Sequence, residues 1–230
     1  MAKISIILPT RGRQSSVYRL LDSIVKTTDN PKDLEIIIYA DEDDIESQNI
    51  SFPAFSIIKL TGQRETMGRI TNLCYKASTG SYIFLMNDDV VFRTSHWDTV
   101  IFKKIKSVPD EVFLIYGNDL HKGEKMPSFP IISRKFCELM DGACPDNISF
   151  HIEGHIFDIF KRLKRFGFNR IFYLSDIIFE HLHYLAGKSS PDDTYLSRNN
   201  QMDEITFISI SRERYYLALK LAWYIKGKFI

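Results

Sequence analysis

Short apolar-rich runs recur through the first half of the chain, at Ile4–Leu8, Leu34–Ala40, Ser56–Leu60, Tyr82–Met86 and Val112–Tyr116. Runs of this length with little polar alternation are the pattern of strands buried on both faces. Between them, apolar residues return at helical spacing: Val17, Leu20, Leu21, Ile24 and Val25; then Met67, Ile70, Cys74 and Ala77; then Trp97, Val100, Ile101 and Ile105. Pro9-Thr-Arg-Gly-Arg13 breaks the first run, and Gly80 stands where the second helix would stop. Strands alternating with helices predict βαβ units, hence an α/β fold with a mostly parallel sheet flanked by helices.

The second half is less regular. Gly117-Asn-Asp reads as a turn, Met126–Pro130 as a loop and Ser133–Met140 as a helix. A helix is expected over Ile156–Phe166, with Ile156, Ile159, Phe160 and Leu163 on one face. Ile171–Leu174 and Ile177–Phe179 form a broken strand region that leads into Glu180-His-Leu-His183. Residues 187–204 are polar and contain Gly187, Pro191, Asn199 and Asn200, so a loop or lid is expected there. From Ser211 the chain becomes a basic, aromatic helix, and no internal repeat is present.

Candidate chemistry gathers at the strand ends. Three strands finish in polar groups: Thr10-Arg-Gly-Arg13, Asp41–Asp44 and Asn87-Asp-Asp89. In open parallel sheets, ligands bind beyond the carboxyl ends of the strands. Adjacent carboxylates such as Asp88 and Asp89 repel each other in a dry interior, and a hard cation such as Mg2+ or Mn2+ relieves that cost. A solvated turn would also explain an acidic strand end, so the pair gains weight only from its neighbours. The 30 basic and 29 acidic residues leave a net charge of +1, and nothing points to a nucleic-acid partner. Three cysteines without CxxC spacing fit free thiols in a reducing compartment better than zinc ligation. The apolar start stops at Pro9, and no stretch approaches the ~20 apolar residues of a membrane span. A soluble cytoplasmic protein is expected, at most peripheral on the inner face of a membrane.

These motifs together resemble glycosyltransferase family 2, the inverting GT-A enzymes that use nucleotide-sugar donors. Pro9-Thr-Arg-Gly-Arg13, Glu35-Ile-Ile-Ile-Tyr-Ala-Asp41, Gly68 to Asn72, Thr79-Gly-Ser-Tyr and Asn87-Asp-Asp89 stand in the family's order. Asn87 occupies the first position of the DXD element. The resemblance implies a GT-A, Rossmann-like domain over 1–205, with residues 1–120 as its nucleotide-sugar half. Residues 121–205 would then supply the acceptor and complete the metal site, and 206–230 would be a separate C-terminal helix. It further implies that Pro9, Thr10, Arg11 and Arg13 line the donor site with Asn87. Asp41 would accept from a base N–H, unless it is only a turn acid. Arg69 would pair with the diphosphate, unless it is a solvated helix charge. Asp88 would contact ribose or sugar, and Asp89 would bind Mn2+ or Mg2+.

An inverting transfer needs a carboxylate to take the acceptor's proton. Counting back from Gly167, the family's acid positions fall near His155 and Ile156, so the match is imperfect here. Asp158 is the first choice for the base, with Glu153 and His155 as alternates; a helix-dipole role would also explain Asp158. Both histidines of Glu180-His-Leu-His183 fall on one face of an extended segment. The resemblance implies that one of them completes the metal site, His183 as first choice and His181 as the alternate, unless the pair is only structural. Lys188, with Asp192, Asp193 and Tyr195, would close a loop on the diphosphate, unless the segment is only a solvated linker. The tail interleaves Arg212, Arg214, Lys220, Lys226 and Lys228 with Tyr215, Tyr216, Trp223, Tyr224 and Phe229. It would pack on the body, on a second subunit in a homo-oligomer, or on a membrane. The expected function is metal-dependent transfer from a UDP-linked sugar to a saccharide or lipid-linked acceptor. Two alternatives remain: a silent nucleotide-sugar-binding or assembly module, and a nucleotidyltransferase, which the single glycine after the first strand fits poorly.

Overall fold

Apolar runs at Ile4–Thr10 (β1), Leu34–Asp41 (β2), Ser56–Gly62 (β3) and Tyr82–Leu85 (β4) form four neighbouring parallel strands in the computed structural model, which describes residues 3–188 and 200–227. Val90–Phe92 (β5), Leu114–Asn118 (β6), Ile131–Ser133 (β7) and Ile171–His181 (β8) extend the sheet in the order β3-β2-β1-β4-β7-β6-β8-β5. Beyond β4 the pairing is mixed. β7 is antiparallel to β4 and β6, β8 is parallel to β6, and β5 is antiparallel to the end of β8. The parallel expectation therefore holds for the first four strands. Strands β5 and β7, at three residues each, are too short to leave a periodic signature.

Unbroken apolar runs arise because both faces of the sheet are covered. Ile4, Ile6 and Leu8 of β1 face one core with Leu34, Ile36 and Ile38 of β2. They pack there on Val17, Leu20 and Ile24 of helix α1 (Gln14–Thr27) and on Trp97 and Ile101 of α4 (Trp97–Lys106). Helix α2 (Ile45–Gln48) is a single turn, and α3 (Met67–Ala77) covers the opposite face. There Ile7, Ile37 and Ile83 meet α3, α5 (Arg134–Met140) and α6 (Ile152–Arg165). Each such burial contributes roughly 1.5–3 kcal/mol. Glu35, inside β2, is tolerated because Ser5, Thr79 and the Gly80 amide all donate to it. Burial pushes its carboxyl up, but those donors outweigh burial and hold it below its usual range.

The two expected segments at 171–179 are one strand. Its register shifts opposite Gly117 and Asn118, where Ser175 and Asp176 are exposed. Helix α6 starts four residues earlier than its apolar stripe suggested, after His151 in a left-handed conformation (φ 65). Two helices close the chain: α7 (Asn200–Ser209) and α8 (Ser211–Ile225). The expected loop at 187–204 is thus helical from Asn200, and the boundary at 205/206 falls inside α7. Residues 189–199 of that loop, with Asp192, Asp193 and Tyr195, lie outside the described residues. Ala218, Leu221 and Ala222 of α8 join the core beneath α6. Among the described residues no helix is long and apolar enough to cross a membrane.

Candidate active site

A cleft of about 920 Å³ opens at the carboxyl ends of β1, β2 and β4. The β1 end is stitched to both neighbours. Thr10 Oγ1 donates to Asp88 Oδ2 at 2.8 Å and Arg13 Nη1 to Asp88 Oδ1 at 3.0 Å. On the other side Arg11 Nη1 reaches Asp41 Oδ2 at 2.7 Å, and its Nη2 reaches Asp43 at 2.7 Å. Gly12 takes a positive φ of 62 so that its amide can donate to Asp44 at 2.7 Å. The three strand ends singled out in the sequence therefore meet. Pro9, Thr10, Arg11, Arg13, Asp41, Asn87, Asp88 and Asp89 all line the cleft. Burial pushes the Asp88 carboxyl up, and Arg13 with Thr10 offsets only part of that.

Asp89 acquires its partner from a strand ninety residues away. Val90 pairs with His181 across β5 and β8, and the Leu182 amide donates to Asp89 O at 2.8 Å. That register sets His181 Nε2 3.3 Å from Asp89 Oδ2. His181, the alternate, is the histidine that meets Asp89. His183, the expected ligand, lines the cleft one step outward and accepts from the Leu185 amide through Nδ1 at 3.1 Å. Its ring stacks on His121 at 5.4 Å. Burial, followed by the neighbouring His181, pushes His183 down to about 4.

The donor set suits a divalent cation completed by a ligand. Cis ligands of an octahedral ion at 2.0–2.2 Å lie about 3 Å apart, close to the Asp89–His181 spacing. His181 Nδ1 is buried with no hydrogen-bond partner among the described residues, so the ring is held by packing, with Phe129 edge-on at 5.0 Å. Among the described residues no three His, Cys, Asp or Glu side chains form a ready-made cage. Such a cation would take its remaining positions from phosphate and water, as Mg2+ and Mn2+ commonly do.

The far wall is built by the Gly68 to Asn72 motif. A Cβ on Gly68 would lie 2.1 Å from Pro145 O, so only glycine lets that loop sit on the first turn of α3. The Gly68 amide donates to Ile148 O at 2.7 Å. Asn72 donates to Cys144 O at 2.7 Å and accepts from the Ala143 amide at 2.9 Å. This loop runs into His151 and the start of α6, and places Glu153 on the cleft. His151 Nε2 lies 3.2 Å from Glu204 of α7, and both line the same wall.

Four expected site residues lie elsewhere among the described residues. Asp158, the first choice for the base, is held by Arg214 Nε at 2.6 Å and Arg162 Nε at 2.8 Å, one turn beyond the cleft. Burial raises its carboxyl, but the two guanidinium hydrogen bonds outweigh burial and hold it below the usual range, so it makes a poor proton acceptor. His155 is 2% exposed in the core. Burial, then Arg214, pushes it down to about 4. Arg69 pairs with Asp146 at 3.1 Å on the outside of α3. Lys188 pairs with Glu180 at 2.8 Å, beside Arg93. Two cations that the sequence reading missed do line the cleft, Arg64 and Lys122. Lys122 sits in a loop whose amides at His121, Lys122 and Gly123 all donate to Asp119 Oδ1. Gly117 and Asn118, expected in a turn, instead end β6, and the chain turns only after Asp119.

The profile of "Glycosyl transferase family 2" matches residues 5–163, well over half of the chain. The chain belongs to this family. No curated protein sequence matches it. Solved structures similar in fold include glucosyl-3-phosphoglycerate synthase from Mycobacterium tuberculosis, in complex with Mn2+, UDP-glucose and phosphoglyceric acid. It has a TM-score of 0.61 and 12% identity, over 91% of this chain and 80% of that one. The mannosyltransferase PcManGT from Pyrobaculum calidifontis, in complex with GDP-Man and Mn2+, gives 0.58 and 11%, over 99% and 76%. S. aureus TarS gives 0.58 and 15% over 77% of this chain, which spans only 36% of TarS. At these identities the three establish the GT-A type of fold.

Proposed function

We propose that this family 2 chain transfers a sugar from a UDP-linked donor to an acceptor hydroxyl with inversion, aided by Mn2+ or Mg2+. The observation that carries the reading is one cleft lined both by Asp88 and Asp89, just beyond β4, and by Glu153 of α6. Pro9, Thr10 and Asp41 would receive the base, and Asp88, oriented by Thr10 and Arg13, the ribose or sugar. Arg64 and Lys122 take over the diphosphate role expected of Arg69 and Lys188. Asp89 and His181 would hold the cation, which supplies charge neutralisation for the departing diphosphate. Glu153 replaces Asp158 as the base, because it lines the cleft, whereas Arg162 and Arg214 hold Asp158. The neighbours crystallised with UDP-glucose or GDP-Man, each with Mn2+, are consistent with this reading.

Calorimetry with UDP and GDP, with and without Mn2+, tests the donor side. UDP should bind more tightly with Mn2+. Equal affinity in EDTA would refute the cation, and no binding of either nucleotide would refute the function. Slow release of UDP from UDP-glucose or UDP-GlcNAc separates an enzyme from a silent binding module.

A further inference from the structure

Helix α8 has two unlike faces. Arg214, Ala218, Leu221 and Ala222 are buried, and the helix packs on α6 and α5. At about 100° per residue, Arg212, Tyr216, Leu219, Trp223 and Lys226 fall on the opposite side. There a solvated helix would carry Glu, Lys and Gln. Instead Tyr216 is 53% and Trp223 50% exposed, and both Arg212 and Lys226 are exposed beside them. The concentration is local. Six of the ten exposed large apolar side chains among the described residues lie on α7 and α8: Met202, Ile205, Ile208, Tyr215, Tyr216 and Trp223.

We propose that the outer face of α8 docks on an anionic lipid surface. Tyr and Trp flanked by Arg and Lys are the side chains that settle at the headgroup level, apolar ring inward and polar edge outward. Charge complementarity selects the occupant. Glu213 is the only carboxylate on α8, and it falls to the side of the stripe, so the face itself is basic. The acids of α7 are spent elsewhere, Asp203 on the Ser149 amide and Glu204 on His151. The same α7 lines the cleft through Met202, Asp203, Glu204 and Thr206. Docking by α8 would therefore hold the acceptor wall next to the membrane. If the transfer proposed above also holds, which this last step requires, the acceptor is lipid-linked.

Co-sedimentation with vesicles of phosphatidylcholine, with and without phosphatidylglycerol, tests this. The whole protein should bind the mixed vesicles and be largely released by high salt. Tyr216→Ser with Trp223→Ser should lower partitioning about tenfold, and Arg212→Glu with Lys226→Glu should do the same. All four positions are solvent-exposed, so unchanged melting temperature and circular dichroism should accompany the loss. No binding of the wild-type protein to anionic vesicles would overturn the proposal. So would a dimer, seen by light scattering, that the Trp223 variant dissolves, since a second copy would then cover this face. UDP binding is measured separately, so failure at the vesicle and failure of the function are distinguishable.

Discussion

At the scale of single residues, Asp89 as cation ligand and Glu153 as base would have separable roles, since they come from separate elements lining one cleft. Asp89→Ala should abolish the Mn2+ dependence of UDP binding in calorimetry while leaving weak, metal-independent binding. His181→Ala should weaken that dependence more than His183→Ala, because His181 stands within 3.3 Å of Asp89. Glu153→Gln should leave UDP affinity unchanged and lower turnover by roughly 10²–10⁴-fold, the usual contribution of a general base. If Glu153→Gln turned over normally, the base would have to come from Asp203 or Glu204, which also line the cleft.

At the scale of elements, Asp158 joins α6 to the C-terminal hairpin. Arg214, 3% exposed, donates to Asp158 and to Phe207 O at 2.7 Å, and lies over the Phe207 ring. Asp158→Asn leaves that guanidinium buried without its counter-charge, which should cost about 3–5 kcal/mol in guanidinium unfolding. Glu153→Gln, partly exposed, should cost almost nothing there. His155, in the same helix, links stability to pH. Its folded value of about 4 lies below the ordinary value of 6.5, so the unfolded chain takes up the proton first. Stability should therefore fall as pH drops below 6.5 and level off only near 4, by about 3 kcal/mol at most. His155→Leu should flatten the difference in unfolding free energy between pH 7 and pH 5. An unchanged slope would mean the ring is solvated.

For the molecule as a whole, two apolar cores sandwich the sheet, and all three cysteines lie in the one beneath α3, α5 and α6. Cys74, Cys137 and Cys144 are free and buried, and burial raises each thiol, Cys74 to about 12. A thiol reagent at pH 8 should find almost no fast-reacting sulfur in the native protein and three after denaturation. Fast labelling of any one would show that the core opens under native conditions. Nucleotide with Mn2+ should raise the melting temperature, and the rise should vanish in Asp89→Ala, because binding to the native state alone stabilises it.

The βαβ half was legible in the sequence because its strands are buried on both faces. Local apolar runs, polar strand ends and Gly80 carry that pattern without reference to distant residues. The pair Asp88 and Asp89 could be read for the same reason: a parallel sheet delivers its strand ends to one edge. What the sequence left open were choices settled by pairing between distant segments. Whether His181 or His183 meets Asp89 depends on the register of β5 against β8, and a shift of two residues, which keeps both rings on the same face, would exchange them. Whether Asp158 or Glu153 faces the cleft depends on where α6 begins. That start is set by the 143–148 loop resting on Gly68 and Asn72, eighty residues earlier in the chain. Arg214 holds Asp158 from α8, and no local spacing announces a partner 56 residues away. Local periodicity decides which elements form; long-range register and packing decide which of their side chains share a site.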